Sequence, residues 1–191
     1  MRCDSCRLVF DHLHTLPRTV VGFHGCRASF AERLIAGAVT TEEWKASQND
    51  YDWLGEGIYF WEHAPARAWE WACRYKGEAA VVAAEVSLGR CLDLADTMFA
   101  GLLRASHAGI MEVYERQGAK LPKNEGREQE LRRLDRLVID QLTEVTDGLR
   151  GIHYQTLRGP FEEGEPIYQG GMLPPSRTSR SPSATGVASD R

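Results

Sequence analysis

The residues best equipped for chemistry sit in three short stretches. The first is Val20-Val21-Gly22-Phe23-His24-Gly25, an apolar run that ends on His-Gly. An imidazole there can hold a ligand through its ring nitrogens, and the glycine offers an unshielded N–H and C=O. The second runs from Tyr51 to Glu62, YDWLGEGIYFWE. Gly55 and Gly57 allow a turn with positive φ and an approach that no Cβ obstructs. The run behind them, Ile58-Tyr59-Phe60-Trp61, is of strand-forming types and delivers an aromatic face to a pocket. The third is RGPFEEGEPIY, residues 158–168, broken by Gly and Pro. It has the makings of a loop that presents a carboxylate from Glu162, Glu163 or Glu165. Each stretch also has a plainer reading. His24 alone reads as a satisfied core or surface histidine, and the Gly-x-Gly stretch alone as a tight turn before a buried strand.

The elements that must position these residues follow from periodicity. Residues 28–36 read as a helix with Phe30, Leu34 and Ile35 on one face and Gly37 as its stop. Residues 40–50 are polar and turn-rich, a loop over the pocket, with Trp44 and Tyr51 as aromatic contacts. Pro65 starts a helix that runs to about residue 75. Residues 79–88, AAVVAAEVSL, form a strand, and Cys91-Leu92-Asp93-Leu94 a short one. The tight Gly89-Arg90 link predicts that these two pair antiparallel. Helical spacing returns from residue 97 to about 114 and again over 128–145. Arg132, Arg133 and Arg136 on the second helix read as a solvated face, or as a basic contact for an acidic partner. Residues 152–157 read as a strand.

The order of these motifs is what gives them weight. A strand ending in His-Gly, a helix, then a Gly-x-Gly-Ile-Tyr-Phe strand and an Ala-rich helix resembles the diphtheria-toxin and poly-ADP-ribose-polymerase branch of the ADP-ribosyltransferases. The resemblance covers residues 20–72, with weaker support to about 168. It implies an α+β fold with a split, mostly antiparallel sheet and surrounding helices. It implies NAD as substrate and transfer of ADP-ribose, with release of nicotinamide, to an acceptor that is protein, DNA, RNA or a small molecule. The family's His-Tyr-Glu triad falls on His24 and Tyr59, with Glu163 as the expected acid, then Glu165. Gly25, Tyr51 and Gly57 complete the expected NAD-binding set. By analogy of fold the chain reads as a bacterial toxin or a phage-defence effector, and a toxin implies an antitoxin. The alternatives are an NAD glycohydrolase, an inactive module that binds NAD or ADP-ribose, and a non-enzymatic interaction protein.

Composition bounds the rest. The chain has 191 residues, 42% hydrophobic, enough for one domain with a core. Its net charge of −4 argues against a general polyanion binder. No apolar run has the length of a membrane span, and the first residues lack the apolar core of a signal peptide. The cysteines, Cys3, Cys6, Cys26, Cys73 and Cys91, are odd in number and irregularly spaced, which predicts reduced thiols and a cytoplasmic setting. Cys3-x-x-Cys6 with His12 and His14 has zinc-ligand residue types. No second element of a zinc knuckle accompanies them, and no metal is expected. The predicted organisation is an extension over 1–18, a catalytic domain over 19–170, and a tail over 171–191. The tail is rich in Ser, Pro, Arg and Thr and is expected to be disordered, leaving no final strand after residue 168.

Overall fold

A computed structural model of the protein describes residues 18–40, 43–125, 131–151, 153–163 and 176–183. The N-terminal cysteine and histidine motif lies outside the described residues, as does Glu165.

Alternating apolar residues and β-branched types draw Thr19–Arg27 into strand β1, which runs straight into helix α1, Ala28–Ile35. Strand β2 is Ile58–Glu62. Helix α2, Pro65–Ala72, starts with proline in the first turn, where its missing N–H costs nothing. Strand β3 is Ala79–Ser87 and strand β4 is Cys91–Asp93. A 3₁₀ turn at Thr97–Phe99, capped by the Asp96 carboxylate accepting from Met98 N–H, leads into helix α3, Ala100–Gln117. The two-residue strands β5, Asn124–Glu125, and β6, Leu131–Arg132, pair with each other. Helix α4 is Arg133–Arg150, followed by strands β7, Thr156–Glu163, and β8, Ser176–Ser183. Helices α3 and α4 each end on a glycine in the left-handed conformation, Gly118 and Gly151.

The fold is a mixed α/β arrangement around a mostly antiparallel sheet of order β3-β1-β2-β8-β7-β4. Only β4 and β7 pair in parallel. The expected antiparallel pairing of residues 79–88 with 91–94 is not formed: β3 and β4 lie at opposite edges. The chain leaves β3 through Gly89 (φ 52°), and β4 pairs in parallel with β7 instead, so the short connection here is not a hairpin.

The second correction concerns the C-terminal segment. Residues 176–183, expected to be disordered, form β8 between β2 and β7. Tyr59 pairs with Pro182 and Trp61 with Arg180 on one side. Gly159 pairs with Arg180 and Glu163 with Ser176 on the other. Strand β7 correspondingly extends through residues 158–163, which the sequence reads as loop. The physical reason is that a strand between two partners is held by main-chain hydrogen bonds on both sides, which do not depend on apolar side chains. Without β8 the sheet would fall into two pieces, β3-β1-β2 and β7-β4.

Each face has its own core. One face carries Trp53, Leu54, Leu92, Phe99, Ile139, Leu142 and Leu157, with Tyr59 packed against them. The other carries Phe60, Val86, Leu88 and Cys91, with Val20, Trp44 and Ile58 alongside. Across the sheet Arg158 reaches two buried carboxylates. Its Nε and Nη2 donate to Glu62 at 2.6 and 3.0 Å, and its Nη1 to Asp93 at 2.8 Å. This joins β2, β7 and β4 across the intervening β8. Both partners raise the Arg158 pKa, the Glu62 hydrogen bond most strongly, so the guanidinium is permanently charged. Among the described residues no helix is long and apolar enough to cross a membrane.

Candidate functional site

Pairing between β1 and β2 is recorded only at Gly22 with Glu62 and Phe23 with Trp61. Beyond Phe23 the next residues of β1 are His24 and Gly25, and here the two strands part. A small cavity of about 40 Å³ sits at the parting, lined by His24, Gly25, Gly57 and Tyr59 together with Asp52 and Trp71. Four of the residues singled out in the sequence thus meet at one place.

Their geometry differs from the expected one in a specific way. Strand residues alternate between faces, and the register Phe23 with Trp61 sends His24 and Tyr59 to opposite sides. The contacts agree. The His24 ring lies 5.6 Å from Trp44 and 5.7 Å from Phe60, on the Phe60 face. The Tyr59 ring packs with the Trp53 and Leu54 cluster. What joins them is the His24 Nδ1 contact to the Tyr59 carbonyl oxygen at 2.9 Å. The two side chains do not converge as a pair; they flank the cavity from either side of the sheet.

Burial lowers the His24 pKa, and the hydrogen bond to the Tyr59 carbonyl opposes that only in part. The ring is therefore neutral at pH 7. Its single proton sits on Nδ1, because a carbonyl can only accept, and Nε2 is left as an acceptor. Tyr59 donates its hydroxyl to the Gly55 carbonyl at 2.6 Å. Gly55 needs its positive φ of 95° for this turn. Gly57 does not adopt positive φ; its carbonyl instead accepts from Ser47 N–H at 2.8 Å and ties the 43–50 segment across the cavity.

Gly25 is required for close approach. A Cβ there would collide with the Ala68 carbonyl and come within 3.0 Å of the Ala72 nitrogen, so α2 lies directly on the β1 main chain. Tyr51 does not line the cavity. Its ring meets Trp71 edge-on at 5.3 Å, and Trp71 in turn borders the cavity and lies 6.2 Å from Trp61.

Glu163 is the expected site residue that the structure separates from the rest. Tyr59 is opposite Pro182 on β8, whereas Glu163 is opposite Ser176. Six residues of strand at about 3.3 Å each put the Glu163 main chain roughly 20 Å from Tyr59 along the sheet. The acid that does border the cavity is Asp52, which is 2% exposed. Its Oδ2 accepts from Ser47 Oγ at 2.7 Å and from Asn49 N–H. Asp52 stands one residue after Tyr51 and gives no motif signal. Main-chain bonds from Asp52 N–H to the Asn49 carbonyl at 3.0 Å and from Trp53 N–H to the Tyr51 carbonyl at 2.9 Å form the turn that carries it.

The fold and the cavity define a mixed α/β protein with a histidine-bearing gap between two antiparallel strands. No family model, curated protein or solved structure matches the chain.

Proposed function

We propose that the chain takes NAD at the gap beside His24 and Gly25 and transfers its ADP-ribosyl group to an acceptor, as the ADP-ribosyltransferases do. The observation that carries this reading is the meeting of His24, Gly25, Gly57 and Tyr59, from two separate strands, around one cavity. Neutral His24 offers Nε2 to a ribose hydroxyl. The Gly25 main chain is free of a side chain that would block an amide. Trp71 and Tyr59 supply flat surfaces for a nicotinamide ring. The bond from nicotinamide nitrogen to ribose C1′ breaks with its electron pair leaving on nitrogen. Nicotinamide departs neutral, the acceptor nucleophile bonds C1′, and its proton is lost to solvent. An anion near C1′ stabilises the oxocarbenium-like transition state, and such pre-placed charge is often the largest catalytic contribution. In this reading Asp52 takes that part in place of Glu163.

A cavity of about 40 Å³ has room for a single water, whereas ligand pockets usually hold about 300 Å³ or more. Entry of NAD therefore requires the segment tied by Ser47 and Gly57 to swing outward. The small cavity and the distant Glu163 favour one second reading: a module that binds NAD or ADP-ribose without turnover.

Incubation with labelled NAD and a cell extract, with chromatography of nicotinamide and of labelled macromolecules, tests both. Transfer releases nicotinamide and labels an acceptor fraction. Release without labelling means that water is the acceptor. Binding without release means the module, and no binding ends both readings. If the chain is active, Asp52→Asn lowers turnover by about 10²-fold with NAD affinity changed only a few-fold, while Glu163→Gln leaves turnover intact.

A further inference from the structure

On the Tyr59 side of the sheet a second and much larger cavity, about 460 Å³, opens between Trp53, α3 and α4. Its volume falls in the range of small-molecule sites. One wall is apolar, built by Leu103, Val138 and Ile139. The rest is basic. Arg104 and His107, three residues apart on α3 and so on one helical face, both line it, as does Arg132. The Arg132 guanidinium lies 4.0 Å above the Trp53 ring and is paired with Asp135 at 2.8 Å. Asp135 also accepts from Asn124, so its carboxylate is already engaged. Neither Arg104 nor His107 has an ion pair or hydrogen bond with a described residue. Trp53 is 4% exposed and borders the cavity, and among the described residues its buried indole N–H has no hydrogen-bond partner.

We infer that this cavity is a binding site for an amphipathic organic anion: a flat or aliphatic body with one carboxylate, phosphate or sulfonate head. The body lies on Trp53 and the Leu103, Val138 and Ile139 wall. The head is held by Arg104, with His107 and Arg132 beside it. A neutral ligand of the same shape would leave Arg104 unanswered, and an inorganic anion would leave the apolar wall wet. The site is separate from the His24 cavity and does not rest on the proposal made for it.

The test uses the full chain and two probes of similar shape: anilinonaphthalene sulfonate, which carries a sulfonate, and phenylnaphthylamine, which is neutral. Fluorescence titration of wild type is expected to give one saturable sulfonate site per chain, at least ten-fold tighter than the neutral probe. Arg104→Glu changes an exposed helix residue and should leave the fold unaltered. It is expected to weaken the sulfonate about ten-fold or more, as loss of one charge-assisted hydrogen bond implies, with the neutral probe moved less than two-fold. His107→Glu should act in the same direction, and His24→Gln should change neither affinity. Equal affinity for the two probes, more than one sulfonate site per chain, or an Arg104→Glu variant that binds the sulfonate as tightly as wild type would each overturn the inference.

Discussion

Arg158→Met is the sharpest test of how the sheet is held. The substitution keeps much of the side-chain length and removes the charge and three N–H donors, those to Glu62 at 2.6 and 3.0 Å and to Asp93 at 2.8 Å. The two carboxylates cannot simply rehydrate, since their side chains are 7% and 9% exposed. Asp93 is cushioned: Arg18 stands 3.6 Å away, and Ala95 N–H donates to its other oxygen at 3.1 Å. Glu62 also lies 3.9 Å from the exposed His63 imidazole. Removing one partner of a fully buried pair costs about 3–5 kcal/mol. The Arg158 side chain is 26% exposed, so water recovers part of that loss and about 2–4 kcal/mol is expected. At about 2–4 °C per kcal/mol for a chain of this size, the melting temperature falls by roughly 4–16 °C. Urea unfolding at constant m measures the same quantity. One further result follows from the mechanism. The double variant Glu62→Gln with Arg158→Met recovers about half of the loss, since the buried charge that faced the guanidinium is gone as well. A deficit under about 1 kcal/mol, or a double variant that recovers none of the loss, refutes the reasoning.

Three other outcomes are expected. Gly25→Ala forces α2 off the β1 main chain and costs about 1–3 kcal/mol, seen as a lowered urea midpoint; an unchanged midpoint means that α2 does not sit where Ala68 and Ala72 meet Gly25. Burial depresses the His24 pKa below its ordinary 6.5, so the unfolded chain binds the proton first. Stability from this group is complete above about pH 6.5 and is lost as pH falls through the lower folded value; His24→Gln should flatten that slope in melting curves between pH 7 and 5. Truncation after Pro175 strips β8 from both neighbours, and hydrogen exchange should then speed up at the amides of Phe60 and Gly159. Unchanged protection there would show that β8 does not bridge β2 and β7.

What the sequence determined by itself was local. Pro65 at a helix start, Gly118 and Gly151 at helix stops, and the strand-forming runs before His24 and after Gly57 act through near neighbours, so each element was legible within a residue or a few. The motifs also singled out His24, Gly25, Gly57 and Tyr59, which the fold places around one cavity. The tertiary structure decided what depends on partners far along the chain. Strand register sent His24 and Tyr59 to opposite faces, because a side chain's face is set by which residue stands across from it. Pairing on two sides made a strand of residues 176–183, whose composition predicts none, because main-chain hydrogen bonds ignore hydropathy. The same pairing carried Glu163 to the far end of the sheet and left Asp52 as the carboxylate at the cavity. No local pattern encodes either placement: distance along a sheet is a sum of registers, and each register is settled only when the strands have met.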